Sequence, residues 1–187
     1  MGRRGMDFGE WDKNFNQTDW IKLAEPTLKP WANVVIWNDW KKLGTIATFL
    51  EEELGFQIKT VLTWIKSNPN PANCKRRFLQ GTEHAIWAVK PGPKKKGVSW
   101  TYNESYHPGW FKHSVITNSK HPTKKPDVIF EEIIKKLTNP GDWILDPFAG
   151  GGTTAYAAEK TGRQHLSIEL DEAYHKIATD HWGKALV

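Results

Sequence analysis

The sequence predicts an α/β fold: a doubly wound, largely parallel sheet with helices on both faces. Three observations carry that expectation. Along the chain, short runs rich in β-formers alternate with stretches whose apolar residues recur at helical spacing. A glycine-rich turn, Asp146-Pro147-Phe148-Ala149-Gly150-Gly151-Gly152-Thr153-Thr154, stands between one such run and a helical stretch, where doubly wound sheets take nucleotide-like ligands. The next run ends in Ile168-Glu169-Leu170, which places a carboxylate at the close of the unit.

Taken in order, residues 33–37 are an apolar run of β-formers and a predicted strand. Apolar residues at 43, 46, 47, 50 and 54 predict a helix over 40–54, stopped by Gly55 as its C′ residue. Residues 58–65 and 85–89 are two further buried-strand candidates, and the Pro/Lys/Gly-rich segment 91–97 is a surface loop. Downstream, an amphipathic helix is predicted over 127–137 with Asp127 as its N-cap, followed by an Asn139-Pro140-Gly141 turn and a strand at 143–145. A helix over 153–160, a strand over 165–170 and a last helix over 171–184 complete the alternation expected of a parallel sheet.

Composition narrows the class. A chain of 187 residues with 39% hydrophobic and 25% charged residues suits one globular domain, not a disordered or coiled-coil protein. No stretch approaches the roughly 18 uninterrupted apolar residues of a membrane span, and the segment from Met1 to Asp7 lacks the apolar core of a signal peptide. One cysteine, Cys74, cannot form an internal disulfide, and Cys74, His107 and His113 lack metal-ligand spacing. The expectation is a cytoplasmic protein with no membrane and no metal.

The net charge of +5 is unevenly spread. Between Asn68 and Lys125 lie eleven cations against only Glu83 and Glu104. Phe78, Trp87, Trp100, Tyr102, Tyr106, Trp110 and Phe111 interleave with them. Cations that follow phosphates beside rings that stack on bases suit a nucleic-acid surface. Lys75, Arg76, Arg77, Lys94, Lys95, Lys96 and Lys112 are the candidate contacts. Composition alone fits a solvated basic face equally well.

The chemistry of the turn is more specific. Its glycines let the backbone approach a ligand closely, Asp146 offers an acceptor to a ligand amine or hydroxyl, and Glu169 can accept both hydroxyls of a ribose. No Gly-Lys-Ser/Thr follows, so it is not a Walker loop, and the Gly-x-Gly-x-x-Gly spacing of NAD sites is absent.

These residues resemble a known family. Asp146 to Thr154 is similar to the S-adenosylmethionine (SAM) motif of DNA N6-adenine/N4-cytosine methyltransferases, in the permuted class that carries this motif near the C-terminus. His121-Pro122-Thr123-Lys124-Lys125-Pro126 resembles the family's His-Pro-Thr-x-Lys-Pro segment, which precedes the helix leading into the SAM strand and helps hold the cofactor. Gly162-Arg163, Ile168-Glu169 and Tyr174 resemble the next strand and helix. Trp64-Ile65-Lys66, Arg76-Arg77-Phe78 and Glu83 to Trp87 resemble the middle strands and their connection. The likeness runs from about Trp11 to Trp182 and implies one Rossmann-like methyltransferase domain over 1–187, incomplete at its N-terminus, with a small DNA-recognition insertion around 90–120. It implies SAM as cofactor, held by Asp146, Pro147, Phe148, Ala149, Gly150, Gly152, Thr153, Thr154, Glu169, Thr123 and Lys125. Duplex DNA is the implied partner, with a second subunit or dimer left open.

The family's chemistry resides in an Asp/Asn/Ser-Pro-Pro-Tyr/Phe motif, which this sequence does not contain. Its polar residue and proline carbonyl accept hydrogen bonds from the target amine, and its aromatic residue stacks on the flipped base. The resemblance places it just ahead of the segment matched by Gly9-Glu10-Trp11-Asp12, hence upstream of Met1, on a strand between those at 143–145 and 33–37. Two unpaired inner edges are the expected consequence, in an N-terminally shortened form. The readings that remain are a site-specific DNA methyltransferase, a SAM- and DNA-binding relative that transfers nothing, and an RNA methyltransferase.

Overall fold

The computed structural model describes residues 15–71, 74–94, 96–97, 99–104, 106–116 and 124–182. Helix α1 (Asp19–Ala24) runs into a 3₁₀ turn, Glu25–Thr27, and then strand β1 (Asn33–Asn38). Helix α2 (Trp40–Thr48) is capped by Asp39, whose carboxylate accepts the Lys41 N–H at 2.9 Å. It widens into a π-type turn, Phe49–Glu53, and stops at Gly55 with φ +68°. Strands β2 (Gln57–Lys66), β3 (Thr82–Val89) and β4 (Trp110–His113) follow. The chain ends in α3 (Asp127–Leu137), β5 (Trp143–Asp146), α4 (Thr153–Lys160), β6 (Gln164–Ser167) and α5 (Glu172–Trp182).

The strands form two sheets. The larger has the order β1-β3-β2-β4, in which β1, β2 and β4 share one direction and β3 runs antiparallel between β1 and β2. Strands β5 and β6 form a separate parallel pair. Sequence alternation predicts a largely parallel sheet, and β3 is its antiparallel member for a topological reason. No helix lies among the described residues between Lys66 and Thr82, so the chain returns without the crossover a parallel strand requires. Strand β4 and helix α1 are also absent from the sequence reading. Pro126, not Asp127, stands at the N-cap of α3, and the Asp127 carboxylate pairs with Lys124 at 3.2 Å. The strand predicted over 165–170 ends at Ser167.

Among the described residues β1 and β5 each pair on one side only. These are the two edges between which the resemblance places a further strand.

Alternation along the strands divides the core. Ile36, Ile86 and Ala88 face Ile21, Leu43, Ile46 and Leu50 on one side of the larger sheet. Leu62, Trp64, Ala85 and Phe111 face Ile129 on the other, so helices cover both faces. Helix α3 belongs to both halves. Its Ile129 and Ile133 pack on the larger sheet, and its Ile134 packs on Ala157 and Ala158 of α4 beside Ile144 of β5.

Polar side chains fix the end of α3. Asn33, at the start of β1, donates to the carbonyls of Leu137 and Thr101, each at 2.8 Å, and accepts the Trp87 indole N–H at 2.9 Å. Buried Arg163, at the start of β6, donates to the Thr138 hydroxyl at 3.0 Å and its carbonyl at 2.7 Å. Asn33→Ala deprives two carbonyls and one indole N–H of their partner at once. It should lower the free energy of unfolding by about 2 kcal/mol in urea titrations.

Candidate cofactor and substrate site

Strand β5 ends in Asp146, and the chain then folds back on its own carboxylate. Asp146 Oδ1 accepts the Phe148 N–H at 3.0 Å. The Asp146 carbonyl accepts the Ile168 N–H at 2.8 Å, and the Ile168 carbonyl accepts the Ala149 N–H at 2.9 Å, which ties the turn to the end of β6. Gly150 and Gly152 take φ values of +50° and +77°, a region L side chains rarely enter. Gly152 also has no room, since a Cβ there would stand 3.1 Å from that of Ala178 in α5. Its carbonyl accepts the Tyr156 N–H at 3.0 Å as α4 begins.

Because β6 stops at Ser167, residues 168–170 bend across the turn. Glu169 Oε2 accepts the Gly150 N–H at 2.7 Å and Oε1 accepts the Asp171 N–H at 2.9 Å. Each oxygen keeps a second lone pair. Asp171 in turn accepts the Ala173 and Tyr174 N–H groups and caps α5.

A cavity of about 490 Å³ opens at this end of β5 and β6, within the usual range for small-molecule sites. It brings together Asp146, Pro147, Phe148, Ala149, Gly150, Thr153, Thr154, Glu169 and Lys125. Gly152 sits behind the wall, where it shapes the turn, and Thr123 lies outside the described residues. Phe15, Lys124, Phe130, Gly151, Ile168, Leu170, Asp171 and Tyr174 complete the lining. Phe148 meets Phe15 and Trp20 edge-on, with ring centroids 5.5 and 5.1 Å apart, so the segment leading into α1 covers one side of the turn. No local pattern in the sequence pairs Phe15 with a residue so far along the chain. Tyr174 does stand in the matched motif.

Burial pushes the Asp146 carboxyl above its ordinary value, and the Glu169 charge adds to the effect. Hydrogen bonds from Thr154 and the Phe148 N–H, and the Lys125 charge, oppose it. Lys125 is itself positioned from the larger sheet, 3.5 Å from Glu83 and above the Trp37 ring. Glu83 also binds Lys66 at 2.8 Å. The ends of β1 and β2 and the start of β3 therefore border the cavity.

The candidate nucleic-acid contacts separate into two sets. Lys75, Arg76 and Arg77 are exposed on the β2–β3 connection, which leaves the sheet at this cavity edge, and exposed Lys112 lies near the same edge in β4. Lys94 and Lys96 follow β3 at the opposite edge. That loop is anchored there by Gly92 against Trp31, by Trp100 over Lys59 at 3.5 Å and by Asn103 on the carbonyls of Lys135 and Thr138. Lys95 lies outside the described residues.

The sequence profile described as DNA methylase matches residues 4–180. The chain belongs to the DNA methylase family. It is 37% identical to the type II methyltransferase M2.DpnII of Streptococcus pneumoniae, over 92% of this chain and 71% of that protein. Against the type II methyltransferase M2.LlaDCHI of Lactococcus lactis subsp. cremoris the identity is 34%, over 96% and 73%. Among solved structures, the M1.HpyAVI–SAM complex superposes with a TM-score of 0.77 at 35% identity, covering 88% of this chain and 81% of that one. The cytosine-N4-specific PvuII DNA methyltransferase shares the fold, with a TM-score of 0.66 at 21% identity. Among the described residues no helix is long and apolar enough to cross a membrane, and no cluster of three or more His, Cys, Asp or Glu could hold a metal ion.

Gly152→Ala tests how tightly the turn is built. The variant should lose about 1–3 kcal/mol of stability in thermal unfolding. Adding Ala178→Gly should recover only part of the loss, because it makes room without relieving the positive φ.

Proposed function

We propose that this DNA methylase transfers the methyl group of SAM to the exocyclic amine of adenine (N6) or cytosine (N4) at a specific site in duplex DNA. The observation that carries the reading is the cavity at the ends of β5 and β6, with two carboxylates set in a glycine turn. SAM supplies an activated methyl: the amine lone pair forms the N–C bond as the C–S bond breaks toward sulfur, and the amine's spare proton leaves to water.

The residues fit such a ligand. Glu169 retains acceptor capacity for ribose hydroxyls, and Asp146 is a desolvated acid that gains from a ligand ammonium. Lys125, with Thr123 two residues before it in sequence, would hold the cofactor's carboxylate end. Ala149, Gly150, Thr153 and Thr154 bring the start of α4 close to it, and Pro147, Phe148, Phe15 and Phe130 form apolar walls. Transfer requires little proton chemistry, so these groups act by positioning and by excluding water.

We read the chain as one methyltransferase domain in which Lys75, Arg76, Arg77 and Lys112 face DNA. Placement on the far edge argues against that role for Lys94 and Lys96, so the recognition segment at 90–120 reduces to its second half. A second subunit is the partner that so small a recognition surface would favour. A cytoplasmic location accords with the single cysteine. The type II methyltransferase relatives favour DNA over RNA as substrate.

The test is methyl transfer from labelled SAM to mixed-sequence duplex DNA, with nucleosides resolved by mass spectrometry. N6-methyladenine or N4-methylcytosine is the expected product. SAM binding without product would favour the reading as a non-transferring relative.

Asp146 gives the pH dependence. With its carboxyl raised, SAM affinity should fall as pH drops, beginning above the ordinary carboxylate range. Asp146→Asn should weaken SAM by about ten- to hundredfold in calorimetric titrations. A raised folded-state value stabilises only while the group is protonated and costs stability once it ionises. The same variant should therefore unfold at higher urea than the parent at neutral pH.

A further inference from the structure

We infer that the β2–β3 connection is a DNA-contacting finger whose Phe78 ring stacks among the bases beside the target, while Arg76 and Arg77 hold the adjoining phosphates. The inference rests on the DNA methyltransferase reading and deepens it.

Two independent observations carry it. The first is exposure. Phe78 is 100% exposed, and no ring contact engages it among the described residues. Arg76 and Arg77 beside it are exposed and have no carboxylate partner among the described residues. An apolar ring directly after two adjacent cations that have no carboxylate partner among the described residues suits a polyanion that also offers flat aromatic surfaces.

The second is placement on a fixed base. At the root of the finger the Lys66 N–H donates to the Gly81 carbonyl at 2.8 Å, and the Ser67 N–H donates to the His113 carbonyl at 3.1 Å. Asn68 accepts the Val115 N–H at 2.6 Å. The root also adjoins the cofactor cavity through the Lys66–Glu83–Lys125 chain of ion pairs. A base leaving the stack for that cavity exposes the faces of its neighbours next to the finger. Unstacking is costly, and a ring that covers the exposed faces offsets part of that cost.

The experiment measures binding of a fluorescently labelled mixed-sequence duplex, and of one of its strands alone, by anisotropy across a salt series. Phe78→Ala should weaken both complexes by about five- to hundredfold, with the salt dependence unchanged. Phe78→Trp should restore affinity and Phe78→Leu should not. Arg76→Ala and Arg77→Ala should instead each lower the slope of log affinity against log salt by roughly one. SAM affinity, measured on each variant, should stay at the parent value. The inference is overturned if Phe78→Ala binds DNA like the parent, or if Leu restores binding as well as Trp does. If the parent chain neither binds duplex nor methylates it, the DNA methyltransferase reading falls too. If the parent binds and Phe78 is indifferent, only the finger falls.

Discussion

Helix α3 is the constraint on which the rest of the structure depends. Backbone hydrogen bonding does not join the two sheets among the described residues, because β1 and β5 are both edges. What relates them is side-chain packing, and α3 supplies it on two faces, with Ile129 toward Leu62 and Trp64 and Ile134 toward Ala157 and Ala158. Its two ends extend the same role. Ahead of the first turn, Lys124 and Lys125 line the cofactor cavity, and Lys125 reaches back to Glu83 and Trp37 of the larger sheet. After the last turn, Asn33 holds Leu137 from β1, and Arg163 holds Thr138 from β6. A helix secured at both ends and packed on two sides can keep two sheets in fixed relation, because dense packing has few alternative arrangements of similar energy.

How much of this was legible in the sequence depended on whether the signal was local. Strands 33–37 and 58–65 and the helix over 40–54 could be read because their apolar spacing and the Gly55 stop lie within one short window. The direction of β3 could not, because a run such as His84 to Val89 has the same composition whichever way its neighbours point. β4 is only four residues long, Trp110–His113, and acquires its strand character by pairing with Thr63 to Lys66 far away in sequence. The site divides along the same line. The turn from Asp146 to Thr154 and the acid at Glu169 were visible as a strand–turn–helix–strand pattern. Phe15 and Phe130 reach the cavity only through tertiary folding.

The two ends of the larger sheet have different electrostatic roles, which composition had merged into one basic segment. At one end Lys136 is buried against Tyr102 and paired with Glu104, and Asn103 closes the carbonyls at the end of α3. Charge there serves packing. At the other end Lys66 and Lys125 share a single carboxylate, Glu83, and the neighbouring Lys75, Arg76 and Arg77 have no carboxylate partner among the described residues. Surplus positive charge thus collects beside the cavity that holds Asp146 and Glu169. A polyanion drawn by that surplus would meet the rim of the site, apart from the two acids inside the cavity.

That separation also bears on why the site is built from costly parts. Asp146 is an acid held where its ionised form is disfavoured, and Gly150 and Gly152, the residue type that leaves an unfolded chain freest, are fixed at positive φ and lose that freedom on folding. Each lowers the stability of the ligand-free protein, and each is concentrated where the two sheets meet around α3. A cofactor bound as proposed would touch Lys125 on one side and the β5 turn on the other, and so both halves at once. Its binding energy would then add to folding stability by mass action across the junction that lacks backbone pairing among the described residues. Under the proposed reading, occupancy of the cavity would reinforce the relation between β5 and the larger sheet that α3 packing sets up.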